Sequence, residues 1–348
     1  MRIGMAINYS SGFREAAAEV AELEKAGLDQ ISVPEAYSFD AVSQLGYLAA
    51  ITDSITIASG IIQIFTRTPT LTAMTAAGLD YVSDGRFALG LGASGPQVVE
   101  GFHGVPYDAP VSRIREIVEI CRMVWRREKV EYHGEHYTIP LPAGQGTGLG
   151  KPLKLINQPV RERIPIIIAA LGPKSVAQTA EIAEGWQPIF FHPEKAQSVW
   201  GASLAAGAAK REAALPPLQI HASPVLAIGE NADALLATVK PQLALYIGGM
   251  GARGKNFYND LVCSYGYEAE AEAIQELYLA GRRDEAAAAV PDDLVREISL
   301  IGPQSYVAER LAAFAQAGVT SLDVTPLAPD AAGRLQQIAL LKELTGAL

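Results

Sequence analysis

The chain has 348 residues but only two cysteines and no cluster of basic side chains. Cys121 and Cys263 lie far apart and neither has a CxxC partner, which excludes a disulfide framework. The 28 Lys and Arg residues are outnumbered by 38 Asp and Glu residues, giving a net charge of −10. Because binding to a phosphate backbone needs clustered cations, this balance argues against a nucleic-acid partner.

Long apolar runs are also missing from the sequence. None reaches the roughly 18 residues that a membrane-spanning helix needs, and the longest are interrupted by Gly or Pro. The first residues lead directly into an apolar strand pattern, without the regions of a signal peptide. We therefore expect a cytoplasmic protein with no membrane partner. The hydrophobic content of 49% suits a fold whose parallel strands are buried on both faces.

Glycine and proline mark the junctions of a supersecondary unit that recurs along the chain. Four predicted helices are each followed by a glycine and then by a strand, and we interpret these glycines as left-handed helix C-caps. They are Gly27, Gly85, Gly185 and Gly318. Prolines mark the opposite junctions, where a helix begins and a missing amide hydrogen does no harm. They are Pro69, Pro96, Pro173, Pro193 and Pro303.

Short segments rich in β-branched residues alternate with the predicted helices and indicate eight strands. They span residues 2–8, 29–34, 54–64, 86–92, 165–170, 186–191, 218–228 and 319–325. Eight strands separated by helices predict a parallel sheet that closes into a (β/α)8 TIM barrel. An open doubly wound sheet is the alternative. We expect residues 1–348 to form one barrel domain, with insertions after strands 4 and 7 at about 129–163 and 246–298.

The loops after predicted strands 4 and 5 resemble each other, because each places a Gly-Pro junction between a strand and a helix. They read Gly92-Ala93-Ser94-Gly95-Pro96 and Ala170-Leu171-Gly172-Pro173-Lys174-Ser175. In a barrel both lie at the strand C-terminal face, where active sites form. Backbone amides at a helix start suit a phosphate, and Lys174 adds a cation. Helix capping explains the same pattern, since Ser94 and Gln97 have capping-box spacing.

Few side chains at the predicted strand ends can transfer a proton. Glu35, after strand 2, is either a base or substrate contact, or a cap for the next helix. His192, after strand 6, is either an active-site group or an N-cap. No strand ends in Lys, and no His-x-His or acidic pair ends an early strand, which disfavours Schiff-base enzymes and metal-dependent hydrolases. No metal site is predicted, and a reactive barrel of this kind needs a cofactor.

Several runs along the chain carry a family resemblance. They are TIASGIIQIFTRTP at 56–69, GRFALGLGASGPQVVEG at 85–101, AALGPKS at 169–175, EGW at 184–186, YIGGMG at 246–251 and CSYGYE at 263–268. Together they resemble the bacterial luciferase-like (LLM) family, in the branch that depends on coenzyme F420. The resemblance covers nearly the whole chain.

This resemblance implies a (β/α)8 barrel that holds coenzyme F420, or FMN in sister branches, at the strand C-terminal face. Members commonly have a non-prolyl cis peptide in strand 3, which maps onto Gly60-Ile61 and supports the tricyclic ring. Phosphate contacts map onto the two loops already described. The expected cofactor-binding residues are Gly60, Ile61, Gly92, Ala93, Ser94, Gly95, Ala170, Leu171, Gly172, Lys174 and Ser175. Related barrels often form homodimers, which we expect here.

The chain departs from the family at one position that bears on mechanism. Some F420-dependent relatives place an Asp-His pair at the end of strand 2, where this chain has Glu35-Ala36. The family's proton donor is therefore not transferable, and a sugar phosphate is a poor substrate expectation. Glu35, Tyr37 and His192 are the replacement candidates.

We predict hydride transfer between F420, an 8-hydroxy-5-deazaflavin, and a small organic substrate that the sequence does not identify. One alternative is an FMN-dependent luciferase-like monooxygenase that uses reduced flavin and oxygen. Another is a non-catalytic deazaflavin-binding barrel. A set of aromatic residues indicates either an apolar pocket or part of the core. These are Phe65, Tyr246, Phe257 and Tyr258.

Overall fold

The computed structural model describes residues 1–7 and 12–347. The described strands are β1 Arg2–Ala6, β2 Gln30–Val33, β3 Thr56–Ser59, β4 Ile62–Gln63, β5 Phe87–Gly92, β6 Tyr132–His133, β7 Thr138–Ile139, β8 Ile166–Ala169, β9 Gly185–Gln187, β10 Gln219–Ala222, β11 Val225–Ile228, β12 Leu300–Gly302 and β13 Ser321–Pro326. The described α-helices are α1 Phe13–Lys25, α2 Ala41–Ile51, α3 Pro69–Val82, α4 Pro96–Val99, α5 Pro110–Trp125, α6 Pro173–Ile182, α7 Pro193–Ala208, α8 Leu236–Ala244, α9 Phe257–Ser264, α10 Glu268–Leu279, α11 Arg283–Ala288, α12 Asp292–Glu297, α13 Gln304–Gln316 and α14 Ala331–Gly346.

The parallel strands close into a barrel. Pairing runs in the order β1, β2, β3, β5, β8, β9, β10, β13, and β13 then pairs with β1. Two positions in the ring are each filled by two short strands, because β3 and β4 both pair with β5, and β10 and β11 both pair with β13. The ring therefore has eight strand positions surrounded by helices. This confirms the predicted (β/α)8 TIM barrel over the open sheet.

Proline accounts for two of the differences between the predicted and the observed strands. The predicted strand 218–228 is interrupted at Ser223-Pro224, and 186–191 ends at Gln187 before Pro188. Proline has no amide hydrogen to donate to the ladder, so a central strand stops or breaks there. The predicted strand 54–64 is interrupted for another reason, described below. Asn8, the end of predicted strand 2–8, lies outside the described residues.

The junction glycines and prolines act mostly as predicted. Gly27, Gly85 and Gly318 have φ of 103°, 78° and 88°, which confirms them as left-handed caps. The prediction is wrong for Gly185, because α6 ends at an extended Ala183 and Gly185 is the first residue of β9. Glycine is needed there for space, since a Cβ would lie 3.0 Å from Ile167 Cγ1. Four of the prolines begin helices, and the fifth, Pro303, is an N-cap.

The two insertions have structure of their own. The first contains the antiparallel hairpin of β6 and β7. The buried Glu116 carboxylate on α5 holds this hairpin by accepting hydrogen bonds from the amides of Glu135, His136 and Tyr137 at 2.8–3.2 Å. The second contains α9 to α12 and leads into β12, which pairs with β11 and was not predicted. Within the described residues, no helix is both long and apolar enough to span a membrane.

Candidate functional site

Strand 3 of the barrel contains a bulge at the strand C-terminal face. Ala58 on β3 is paired with Ala88, an offset of 88 − 58 = 30, whereas Ile62 on β4 is paired with Leu91, an offset of 91 − 62 = 29. One extra residue has therefore been inserted between β3 and β4. The peptide bond between Gly60 and Ile61, inside the bulge, is cis. This confirms the cis bond that the family resemblance implied.

Glycines on β5 leave room for the bulge. A Cβ at Gly90 would lie 1.9 Å from the Ser59 carbonyl oxygen, and a Cβ at Gly92 would lie 2.3 Å from Ile61 Cδ1. The Ser59 hydroxyl accepts a hydrogen bond from the Gly90 amide at 2.8 Å and donates one to the Gly90 carbonyl at 2.9 Å. The bulge can therefore pack directly on the backbone of β5.

Gln63, at the end of β4, is a polar side chain that the sequence interpretation passed over. Its residue is 1% exposed and its Nε2 donates to the Ala36 carbonyl at 2.8 Å. Its Oε1 is buried and accepts no hydrogen bond from any described residue. A buried carbonyl oxygen without a donor is costly, so this atom is suited to a donor on a bound molecule. The sequence marks this residue only as a glutamine at the end of an otherwise apolar strand.

The loop after strand 4 leads into a helix too short to have a strong dipole. The helix that follows, α4, has one turn, and Gly95 rather than Ser94 is its N-cap. The capping-box interpretation of Ser94 and Gln97 is therefore wrong. Ser94 instead has a left-handed φ of 59°, and its carbonyl accepts a hydrogen bond from the Tyr107 hydroxyl at 3.3 Å.

The loop after strand 5 leads into the longer helix of the two. Gly172 is the N-cap of the ten-residue α6, with no side chain capping it, and the Ser175 hydroxyl donates to the Gly172 carbonyl at 2.8 Å. The amides of Leu171, Gly172, Lys174 and Ser175 donate to no acceptor in the described part of the chain. Several free amides at a helix N-terminus form a site suited to phosphate.

Glu35 is held in an ion pair rather than left free. Its carboxylate forms a bidentate pair with Arg67 at 2.6 and 2.9 Å, and the two side chains are only 8% and 14% exposed. Its Oε2 also accepts the amide of Ala41, the first residue of α2, at 2.8 Å. Glu35 therefore contacts the start of α2, as the capping alternative predicted. Its ion pair with Arg67 means that the carboxylate is not free to act as a base.

The other two predicted proton-transfer residues lie in opposite environments. Tyr37 is 69% exposed on the loop after β2, with its ring centroid 6.1 Å from that of Phe102. His192 is 2% exposed at the start of α7, where its side chain makes no capping hydrogen bond. Its Nε2 lies 2.9 Å from Glu297 Oε2 and its Nδ1 lies 3.1 Å from Glu194 Oε2. Burial lowers the pKa of His192, partly opposed by the two carboxylates.

Aromatic rings from separate loops lie beyond the strand C-termini. Phe65, after β4, packs 5.1 Å from Tyr107, and Phe190, after β9, packs 5.4 Å from Tyr246 and 6.2 Å from Tyr258. Burial raises the pKa of Tyr258 to about 12, with Tyr246 and Tyr107 adding to the rise. We refer to these five residues as the aromatic wall. Phe257 is exposed and lies outside it.

Comparison with known proteins agrees with this geometry. A sequence profile of the luciferase-like monooxygenase family matches residues 1–321. The chain belongs to this family. A protein from Mycobacterium tuberculosis named as a coenzyme F420-dependent oxidoreductase is 40% identical to this luciferase-like chain over 99% of both chains. The 5,10-methylenetetrahydromethanopterin reductase of Archaeoglobus fulgidus is 27% identical over 90% of each.

A solved structure shows the same fold in another member. The coenzyme F420-dependent tetrahydromethanopterin reductase from Methanopyrus kandleri superposes with a TM-score of 0.79 at 22% identity, covering 98% of this chain and 96% of the other. In this luciferase-like chain, the described residues contain no group of three or more His, Cys, Asp or Glu side chains that could hold a metal ion. The bulge, the unpaired Gln63 oxygen and the free amides fit a tricyclic cofactor that carries a phosphate.

Proposed function

We propose that this chain is an F420-dependent oxidoreductase that transfers a hydride between the cofactor and a small organic substrate. The cis Gly60-Ile61 bulge, packed on two glycines of β5, is the observation that carries the proposal. The relative named as F420-dependent, 40% identical over 99% of both chains, supports F420 over other tricyclic cofactors.

The residues that would hold F420 lie on three neighbouring strand ends. Gly60 and Ile61 would support the ring, with Gly92 leaving room beside them, and the Gln63 oxygen would accept a hydrogen bond from it. The remaining predicted contacts would bind the phosphate. They are Ala93, Ser94 and Gly95 after strand 4, and Ala170, Leu171, Gly172, Lys174 and Ser175 after strand 5. When bound, F420 supplies a carbon centre that accepts or donates a hydride.

The aromatic wall supports an apolar or aromatic substrate. Rings from the loops after strands 3, 4 and 6 and from the second insertion would exclude water from the reacting atoms and fix their orientation. The Tyr258 hydroxyl makes no hydrogen bond with any described residue. A tyrosine hydroxyl is protonated near neutral pH and can donate a hydrogen bond. We propose that Tyr258 donates a hydrogen bond to the substrate, with the exposed Tyr37 as the second candidate.

Turnover with a chemically graded substrate panel tests this function. Reduced F420 and the protein would be mixed with aliphatic, aromatic and conjugated ketones, and formation of oxidised F420 followed by visible absorbance. We expect oxidation of F420 with at least one planar apolar ketone and none with sugar phosphates. The non-catalytic barrel would be favoured if F420 binds but no compound of the panel accepts a hydride from reduced F420 or donates one to oxidised F420.

The FMN-dependent monooxygenase is the second candidate, because the family profile that matches the chain is named for monooxygenases. It predicts that protein supplied with reduced FMN consumes oxygen in the presence of a substrate. An oxygen electrode measures this directly. We expect no consumption above that of reduced FMN alone.

We also propose that the chain acts as one domain over 1–348, as a homodimer in the cytoplasm. Support for the homodimer comes from α3, where exposed apolar residues at helical spacing form one face. They are Leu71, Met74, Tyr81 and Val82.

A further inference from the structure

Two buried tryptophans bind the backbone of the loop after strand 5. The indole Nε1 of Trp186, on β9, donates to the Ala170 carbonyl at 2.9 Å. The indole Nε1 of Trp200, on α7, donates to the next carbonyl, that of Leu171, at 3.0 Å. Both tryptophans are among the largest fully buried side chains of the protein. Two consecutive peptide groups of this loop are thus anchored by side chains of β9 and α7.

The planarity of the peptide bond determines where the amides of those groups point. In a trans peptide, the carbonyl of one residue and the amide hydrogen of the next point in opposite directions. The bonds joining Ala170 to Leu171 and Leu171 to Gly172 are trans. Because the indoles bind the carbonyls of Ala170 and Leu171, the amides of Leu171 and Gly172 point away from the tryptophans. These two amides are among the four that have no acceptor within residues 1–7 and 12–347.

The indoles themselves have little freedom to move. The Trp186 and Trp200 rings meet edge to face at 5.1 Å, and Phe191 stacks on Trp200 at 5.7 Å with an interplanar angle of 9°. Phe314 on α13 closes the cluster against Phe191 at 5.9 Å. Close packing of this kind fixes side-chain rotamers, so the two donors remain in place when the loop is disturbed.

We propose that Trp186 and Trp200 are positioning residues that hold the loop amides toward the cofactor's phosphate. This inference rests on the proposed function, since it assumes a phosphate-bearing cofactor at this loop. A pre-organised donor set avoids the entropic cost of ordering the loop on binding. The tryptophans would therefore increase affinity for the phosphate-bearing part of the cofactor and not for its ring.

The third tryptophan of the chain supplies a matched control. Trp125 on α5 is also fully buried, and its Nε1 also donates to a backbone carbonyl, that of Ala73 on α3, at 3.0 Å. It makes the same kind of bond, but between α5 and α3 and not to the loop after strand 5. A Trp125→Phe variant therefore measures what loss of one buried indole hydrogen bond does to stability alone.

The test compares two ligands in Trp186→Phe, Trp200→Phe and Trp125→Phe. The ligands are F420 and its deazaflavin core lacking the phosphate-containing tail, and dissociation constants are measured by fluorescence titration. We expect the first two variants to bind F420 about 3- to 10-fold more weakly, as loss of one hydrogen bond implies, and to bind the core within about twofold of wild type. All three variants should melt at lower temperature, and Trp125→Phe should leave the ratio of the two affinities unchanged.

A parallel loss of affinity for F420 and for the core, or an equal change of the ratio in Trp125→Phe, would overturn the inference. The proposed function fails separately, if the wild type binds FMN and not F420. In that case FMN and riboflavin, which also differ by a phosphate, replace the ligand pair and test the tryptophans in the same variants. The positioning role then stands or falls on the ratio of those two affinities.

Discussion

Single residues show how a partner determines what a carboxylate can do. Glu35 looks available in the sequence, because it follows a strand at the mouth of a barrel. In the structure both of its carboxylate oxygens accept hydrogen bonds from Arg67, and one of them also accepts the amide of Ala41 at the start of α2. We therefore interpret Glu35 as a residue that positions the loop after β2, including the Ala36 carbonyl that binds Gln63.

A Glu35→Gln variant should be less stable by about 3 kcal/mol in free energy of unfolding, because it leaves Arg67 buried without a counter-charge. Urea denaturation measures this. Glu22→Gln is the control, since Glu22 pairs with Lys25 on an exposed helix surface and such pairs contribute at most about 1 kcal/mol. A Glu35→Gln protein of unchanged stability that has lost all turnover would instead identify Glu35 as the base.

Part of the candidate site's structure could be predicted from the sequence. The family resemblance implied the cis bond at Gly60-Ile61, and the Gly-Pro junction of the strand 5 loop predicted a helix start there. Trp186 and Trp200 could not be predicted, because their acceptors lie 16 and 29 residues away and only tertiary packing brings them together. Gln63 is a similar case, since its unpaired oxygen is a property of its surroundings.

At the level of elements, the bulge depends on the strand beside it. Gly92→Ala would place a Cβ 2.3 Å from Ile61 Cδ1, so the Ile61 side chain must move. We expect F420 affinity to fall about tenfold and stability to fall by about 1–3 kcal/mol, as overpacking does. Isothermal titration calorimetry and urea denaturation measure the two effects.

Gly78→Ala provides the comparison for that variant. Gly78 lies within α3, and a Cβ there would meet nothing within 4 Å. Alanine should stabilise the helix by up to about 1 kcal/mol and leave F420 affinity unchanged. If Gly92→Ala binds F420 as tightly as Gly78→Ala does, the bulge does not contact the cofactor.

Three helices meet at His192. It is the N-cap residue of α7, and its ring faces Glu297 at the end of α12. Arg310 on α13 forms an ion pair with Glu194 and donates to the Glu297 carbonyl. The Tyr267 hydroxyl donates to the same Glu297 carboxylate at 2.9 Å. The second insertion is therefore joined to the barrel through a polar cluster around one buried histidine.

Acid should loosen this junction. Burial lowers the pKa of His192 below its ordinary value of 6.5, so between the two pKa values the unfolded chain binds a proton that the folded chain does not. Stability should therefore fall as the pH drops below about 6.5, by at most about 1.4 kcal/mol per pH unit. Urea denaturation between pH 7.5 and 5.5 should show a shallower slope for His192→Gln than for wild type. His133→Gln, at an exposed site, should keep the wild-type slope, and three equal slopes would refute this assignment.

At the level of the whole molecule, counting strands was enough to predict closure of the barrel. The predicted count holds because β4 continues β3 and β11 continues β10 within one ring position each. The strand β12 could not be predicted, because three residues between helices give no periodic signal. The extent of the single domain, 1–348, stays a prediction.

Association through α3 gives the homodimer a specific test. The exposed apolar face of α3 carries Tyr81, so a charge at this position would oppose burial of the face against a second copy of the chain. Light scattering should report a dimer for wild type and a monomer for Tyr81→Glu. Leu279→Glu, at an exposed position on α10, should remain dimeric. A monomeric wild type would rule out the homodimer, and a dimeric Tyr81→Glu would move its interface elsewhere.

Cofactor choice tests the central proposal most directly. Purified apo-protein would be titrated with oxidised F420 and, separately, with FMN, and binding followed through cofactor fluorescence. The proposed function predicts saturable binding of F420 at one equivalent per chain, with no binding of FMN over the same concentrations. Saturable binding of FMN without binding of F420 would contradict it.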